Sequence, residues 1–136
     1  MRPDPDKPII CIVDDDPSVL RALSRLIESA GMRAEPFTTA EEFLISAPAA
    51  KAACLLLDVH LPSMDGFELQ ERAAQLGYDV PAIFITARPD ETSRSRARRV
   101  GAVALLEKPV DEAALFDAIE LALSRWIDAH GPAGPA

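Results

Sequence analysis

Four groups able to do chemistry stand far apart in the chain, each at the end of an apolar run. Asp14 and Asp15 follow Ile9–Val13, and Asp58 follows Ala53–Leu57. Thr86 follows Val80–Ile85, and Lys108 follows Ala102–Leu106 and Glu107. Carboxylates brought together repel one another and call for a cation. Mg²⁺ accepts oxygen ligands and keeps several waters, so one or two carboxylates and a carbonyl suffice to hold it. A metal and an ammonium neutralise charge on phosphoryl oxygens, and a hydroxyl can bond a further oxygen. An aspartate nucleophile giving an aspartyl phosphate completes a consistent chemistry. Each group alone has an ordinary explanation. An aspartate run before a helix caps it, Asp58 can simply close a strand, a threonine at a strand end is structural, and a lysine before proline sits at a surface. Their conjunction is what points to a site.

The elements that must position these groups follow from the pattern. Ile9–Val13 is a β-branched run suited to a strand buried on both faces. Ala53–Asp58 and Val80–Thr86 are further apolar strands, with a weaker strand over Met32–Phe37 and a fifth over Ala102–Leu106. Helices alternate with them. Asp16-Pro17 starts one, with Val19, Leu20, Leu23, Leu26, Ile27 and Ala30 as its stripe and Gly31 at its end. Thr39-Ala40-Glu41-Glu42 is a capping-box pattern opening a short helix that Pro48 closes. Asp65-Gly66 leads into a third, with Leu69, Ala73 and Leu76 facing inward before Gly77, and Asp90 caps a fourth that ends at Gly101. Asp111 caps the last, with Leu115, Ile119, Leu123 and Trp126 in register. Alternation of this kind makes an α/β domain with a parallel sheet and right-handed crossovers. Parallel strands all end on one edge, so the four polar groups converge there.

The remaining composition sets limits. A chain of 136 residues that is 49% hydrophobic and 26% charged can bury one ordinary core. A net charge of -8 disfavours bulk attraction to nucleic acid or acidic lipid. No run is long and apolar enough to span a membrane, and a cytoplasmic address is the default. Cys11 and Cys54 sit inside apolar runs and read as small core residues. Residues 1–8 read as a loose tail, 9–128 as the domain, and 129–136 as an unstructured end.

Taken together, Val13-Asp14-Asp15-Asp16, the run Leu57-Asp58-Val59-His60-Leu61-Pro62-Ser63-Met64-Asp65-Gly66, Ile85-Thr86-Ala87 and Glu107-Lys108-Pro109 resemble a response regulator receiver domain of two-component signalling. The likeness covers about residues 9–128 and is similar in local pattern to receivers of the nitrogen-fixation and nitrate-response type. It implies a flavodoxin-like (βα)5 sandwich with strand order 2-1-3-4-5. It also implies a protein that is not an enzyme in the ordinary sense, accepting and losing a phosphoryl group by its own chemistry. The donor would be a sensor histidine kinase or histidine phosphotransfer protein. By position, Asp58 is the phosphoacceptor. Asp15, Asp58 and the backbone carbonyl of His60 ligate Mg²⁺, with Asp14 helping to position it through water. Thr86 is the switch hydroxyl, Lys108 pairs with the phosphoryl group or with Asp58, and Lys108-Pro109 is expected to be cis.

Three features depart from the family pattern. Leu105 stands three before Lys108, where the family usually has an aromatic side chain. His60 stands two after Asp58, where its side chain can reach the path of a hydrolytic water or lie solvated in the loop. No output segment follows the last helix in this sequence, which favours a stand-alone receiver over the receiver half of a transcription factor. The fourth helix is unusual as well. Arg94, Arg96, Arg98 and Arg99 leave only Ala97 and Val100 to face a core. Such a charge run is either a solvated face or a docking surface for an acidic partner or a second copy. Two rivals fit less well. An aspartate-nucleophile phosphatase would want an acid where His60 stands. A flavin-binding module sharing the fold would want a hydroxyl-rich phosphate loop in place of Asp14-Asp15-Asp16.

Overall fold

The computed structural model describes residues 7–131; most of the tails expected at 1–8 and 129–136 lies outside that range. Five parallel strands alternate with five helices: β1 (Ile9–Val13), α1 (Pro17–Ser29), β2 (Arg33–Phe37), α2 (Ala40–Leu44), β3 (Cys54–Asp58), α3 (Gly66–Gln75), β4 (Ala82–Thr86), α4 (Glu91–Arg99), β5 (Ala104–Glu107) and α5 (Glu112–His130). The sheet order is 2-1-3-4-5, as expected.

Alternation along the strands builds two cores. Cys11, Val13, Leu55, Leu57 and Phe84 face Phe43 of α2, Phe67 and Leu69 of α3, and Ala97 of α4. Ile10, Ile12, Cys54, Leu56, Ile83 and Ile85 face Leu20, Leu23 and Ile27 of α1 with Leu115 and Ile119 of α5. Strands covered on both sides must be apolar throughout, which is why β1, β3 and β4 read as unbroken runs. Register brings the strand ends level: Val13 pairs with Leu57, Asp58 with Ile85, and Thr86 with Glu107. Four helices are capped by the side chain anticipated, Asp16, Thr39, Asp90 and Asp111, and α3 is capped by Asp65, read from the sequence only as part of the turn that leads into it.

Several boundaries differ from the sequence reading, each for a local reason. β2 begins at Arg33 because the Met32 N–H is still tied to Ile27 of α1. β4 begins at Ala82 because Pro81 has no N–H to enter a ladder. β5 begins at Ala104 because the Ala102 N–H returns to Ala97 at the end of α4. Pro48 does not merely stop α2; it starts a 3-10 turn over Pro48–Lys51, whose Ala49 is buried. Leu76, expected in the core, is 56% exposed, because α3 ends at Gln75 and Tyr78 packs there instead. In α5 the fully sheltered positions are Leu115, Ala118, Ile119 and Ala122, while Leu123 and Trp126 are half-buried. The helix also runs past Asp128 to His130, whose ring stacks on Trp126 at 5.0 Å and whose Nδ1 lies 3.0 Å from the Trp126 carbonyl.

Candidate functional site

The carboxyl edge of the sheet gathers the polar groups. β1 ends directly into Asp14, which is fully buried; its Oδ1 accepts the Asp16 N–H at 2.9 Å, turning the chain into α1. Asp15 next to it is exposed. β3 delivers Asp58, 4% exposed, and its Oδ1 accepts the His60 N–H at 3.1 Å. β4 delivers Thr86, also buried, whose Oγ1 accepts the Arg88 N–H at 3.1 Å. That bond occupies a lone pair and leaves the hydroxyl proton free to donate. Beyond β5 the Lys108 N–H bonds the Thr86 carbonyl at 2.9 Å, and the Lys108-Pro109 bond is cis. The lysine turns inward: Nζ lies 2.8 Å from Asp14 Oδ2 and 3.3 Å from Asp58 Oδ2.

Electrostatics here are set by crowding. Burial pushes the Asp58 carboxyl above its ordinary range, and the Asp14 charge pushes the same way. The His60 N–H and Lys108 oppose this without cancelling it. For Lys108, burial disfavours the ammonium, but Asp14 and Asp58 outweigh it, so the group is held above its ordinary value. One ammonium faces three carboxylates, and oxygens of Asp14, Asp15 and Asp58 lie within 4.8 Å of one another. Asp14 Oδ2 is charge-compensated by Lys108 yet has no aligned hydrogen-bond donor among the described residues. An oxygen-only set with spare negative charge fits a hard divalent cation such as Mg²⁺.

A family model, the response regulator receiver domain, matches residues 10–120. The chain belongs to the response regulator receiver family. Among curated proteins this receiver is 41% identical over 115 residues to the response regulator protein TmoT of Ectopseudomonas mendocina, covering 85% of this chain and 52% of that one. It is 39% identical over 119 residues to nodulation protein W of Bradyrhizobium diazoefficiens, covering 88% and 52%. It is 32% identical over 119 residues to the transcriptional regulatory protein FixJ of Rhizobium meliloti, covering 88% and 58%. The receiver thus spans about half the length of these relatives. Among solved structures, the response regulator StyR superposes with a TM-score of 0.81 at 41% identity, over 90% of this chain and 62% of that one. A CheY-like receiver protein from Methanospirillum hungatei gives 0.79 at 30% identity, over 90% and 98%.

Asp14, Asp15, Asp58 and Lys108 come together at the edge, with Thr86 tied to Lys108 through its carbonyl. His60 contributes its backbone N–H to Asp58, while its residue as a whole is exposed. Leu105 pairs with Phe84 and lines, with Ala97 and Ala104, a hollow of about 320 Å³ between β5 and α4. Sequence reasoning missed two contributors. Gly66, read as half of a turn, lies against the end of β3, where a β-carbon would overlap the Asp58 carbonyl oxygen. Arg96, read as part of a charge run, reaches Asp65 at 2.8 Å. Neither partner choice is encoded in spacing, since it depends on how α3 and α4 pack.

Proposed function

We propose that the protein accepts a phosphoryl group on Asp58 from a sensor histidine kinase or a histidine phosphotransfer protein. The observation that carries this is the position of Lys108 Nζ between the Asp14 and Asp58 carboxylates, at 2.8 and 3.3 Å. An Asp58 carboxylate oxygen attacks phosphorus; the phosphorus–oxygen bond forms as the bond to the donor imidazole nitrogen breaks, and the imidazole leaves with the electron pair. Lys108 neutralises charge on the phosphoryl oxygens, and the free Thr86 hydroxyl proton donates to one of them. Mg²⁺, held by Asp15, Asp58 and the His60 carbonyl with Asp14 positioning it, supplies further charge neutralisation when bound. The protein undergoes phosphoryl acceptance and loss rather than multiple-turnover catalysis, in the cytoplasm where such donors act.

The phosphorylated domain then signals through α4 and β5. Only Ser93 and Ala97 of α4 are buried, and weakly anchored elements supply the moving parts of switches. The arginine face of α4 is the surface offered to an acidic partner or a second copy. A second reading is favoured by coverage: the chain is the receiver part of a longer transcriptional regulator, since it spans 52–58% of the relatives compared. Acetyl phosphate with Mg²⁺, followed by intact mass, tests the central step. Wild type gains one phosphoryl mass and Asp58→Asn gains none; an unmodified wild type overturns the reading.

A further inference from the structure

The Arg96 guanidinium makes a two-pronged contact with Asp65: Nη1 lies 2.8 Å from Oδ2 and Nη2 3.2 Å from Oδ1. A fork of this kind fixes orientation as well as charge. The same guanidinium carbon sits 4.5 Å from the centroid of the Phe67 ring, a cation over an aromatic face. Phe67 in turn packs on Phe84 of β4 at 4.3 Å between centroids. A helix with almost no apolar anchor is therefore held at its middle by one charged side chain.

Asp65 is an unusual partner. Its Oδ1 also accepts the Glu68 N–H and caps α3. The next residue, Gly66, donates its N–H to the Val59 carbonyl at 3.0 Å and lies against the Asp58 carbonyl without room for a β-carbon. The path from Asp65 to the backbone of Asp58 thus runs through main chain in close contact, with no flexible side chain to absorb a shift. Partial burial would push the Asp65 carboxyl up, but Arg96 and the Glu68 N–H more than offset it and hold it below its usual range. The pair stays charged on both sides.

We infer that Arg96 is a positioning residue, a latch through which the loop after the phosphoacceptor and the fourth helix hold one another in place. The inference rests on Asp58 as phosphoacceptor and names a route of regulation for it. A phosphoryl group must fit between the Asp58 carboxyl and the 59–66 loop, whose His60 N–H already holds Oδ1. The loop has to give, and the latch resists. Because Leu105 has neither ring nor hydroxyl, this contact gives α4 a response to the site that does not depend on an aromatic partner for Thr86.

The test uses the full chain, with beryllofluoride and Mg²⁺ as the phosphoryl mimic. Calorimetric titration is run on wild type, Arg96→Gln, Asp65→Asn and the double variant. Asparagine retains the capping oxygen. Each single variant is expected to lower the half-saturating mimic concentration about five-fold, and the double variant no further than either single, because linkage is reciprocal and the pair acts as one contact. Hydrogen exchange of residues 91–99 is expected to rise on adding the mimic to wild type, and to be already raised and unresponsive in the variants. A half-saturation in Arg96→Gln within about two-fold of wild type, or a double-variant shift equal to the product of the singles, overturns the latch. Intact-mass uptake from acetyl phosphate, measured on the same samples, separates the two ideas. Uptake with no latch effect removes only the inference, whereas no uptake by wild type removes the phosphoacceptor reading and the inference with it.

Discussion

Gly66 lies against the backbone carbonyl of Asp58 so closely that a β-carbon on the glycine would overlap the carbonyl oxygen. The position opens α3 with no positive φ, so helix propensity alone would favour alanine there by up to about 1 kcal/mol. Overlap with main chain, which cannot swing aside, outweighs that gain. Gly66→Ala is expected to destabilise by about 1–3 kcal/mol, the range for overpacking, and to slow phosphoryl uptake at Asp58. Urea unfolding checks the first part and intact mass the second. A more stable alanine variant would show that the loop yields freely.

Asp58 carries a second consequence. Its carboxyl is raised in the fold, first by burial and then by Asp14. A group raised in this way favours folding fully below its unfolded value, about 3.9 for aspartate. That contribution is lost as pH rises through the folded value. At neutral pH the ionised side chain therefore weakens the metal-free fold. Asp58→Asn is expected to melt at a higher temperature than wild type at pH 7, with the gap closing as pH falls to about 4, the ordinary carboxylate value. Lys108 has the opposite charge but is also raised, so its favourable contribution is complete below about 10.4, the ordinary lysine value, and is lost as pH rises through the folded one. Thermal melts in metal-free buffer across this range check both signs.

Mg²⁺ should reverse that penalty. Three carboxylates against one ammonium leave negative charge that a divalent cation neutralises. A ligand that binds only the folded chain stabilises it by about 2.7 kcal/mol at a hundred times its dissociation constant. The wild-type melting temperature is expected to climb with Mg²⁺ at constant ionic strength, and that of Asp58→Asn or Asp15→Asn to climb much less. Equal shifts in all three proteins would place the cation elsewhere.

The sheet and its polar edge are legible in the amino-acid sequence. The β-branched and leucine runs of β1, β3 and β4 have to be strands covered on both faces, and their polar ends have to share an edge. The caps Asp16, Thr39, Asp90 and Asp111 are readable because capping needs one oxygen at one offset. Contacts between elements are not. The Arg96–Asp65 fork depends on the packing of α4 beside α3, and the overlap at Gly66 on the path of a loop. Ser93 is hidden for a different reason: a hydroxyl residue carries no hydrophobic signal, yet it lies buried beside Ala97 on the inner face of α4.

His60 is expected to affect how long the phosphoryl group lasts. Its N–H holds Asp58 Oδ1 at 3.1 Å, and its residue is exposed at the mouth of the site. Both the backbone bond and the position survive His60→Ala, so any change in phosphoryl lifetime reports the imidazole itself. The decay of intact mass after removal of acetyl phosphate measures it. Equal decay rates in the two proteins would leave His60 as a solvated loop residue.

The caps of α4 and α5 should behave differently although their chemistry matches. The Asp90 carboxylate accepts the Ser93 N–H at 2.8 Å, and the Asp111 carboxylate accepts the Ala114 N–H at 2.9 Å. α5 has nineteen residues and buries Leu115, Ala118, Ile119 and Ala122, so packing holds it even with a frayed first turn. α4 has nine residues and buries only Ser93 and Ala97. Loss of its cap falls on an element whose local opening already takes little free energy. Asp90→Ala is therefore expected to raise hydrogen exchange throughout residues 91–99 by several-fold, whereas Asp111→Ala raises it only in the first turn of α5. Mapping exchange by residue in the two variants decides the matter. Uniform loss of protection along α5 would mean that its buried face does not hold it without the cap, and confinement of the Asp90→Ala effect to the first turn of α4 would mean that α4 is anchored more firmly than its two buried side chains and one arginine fork allow.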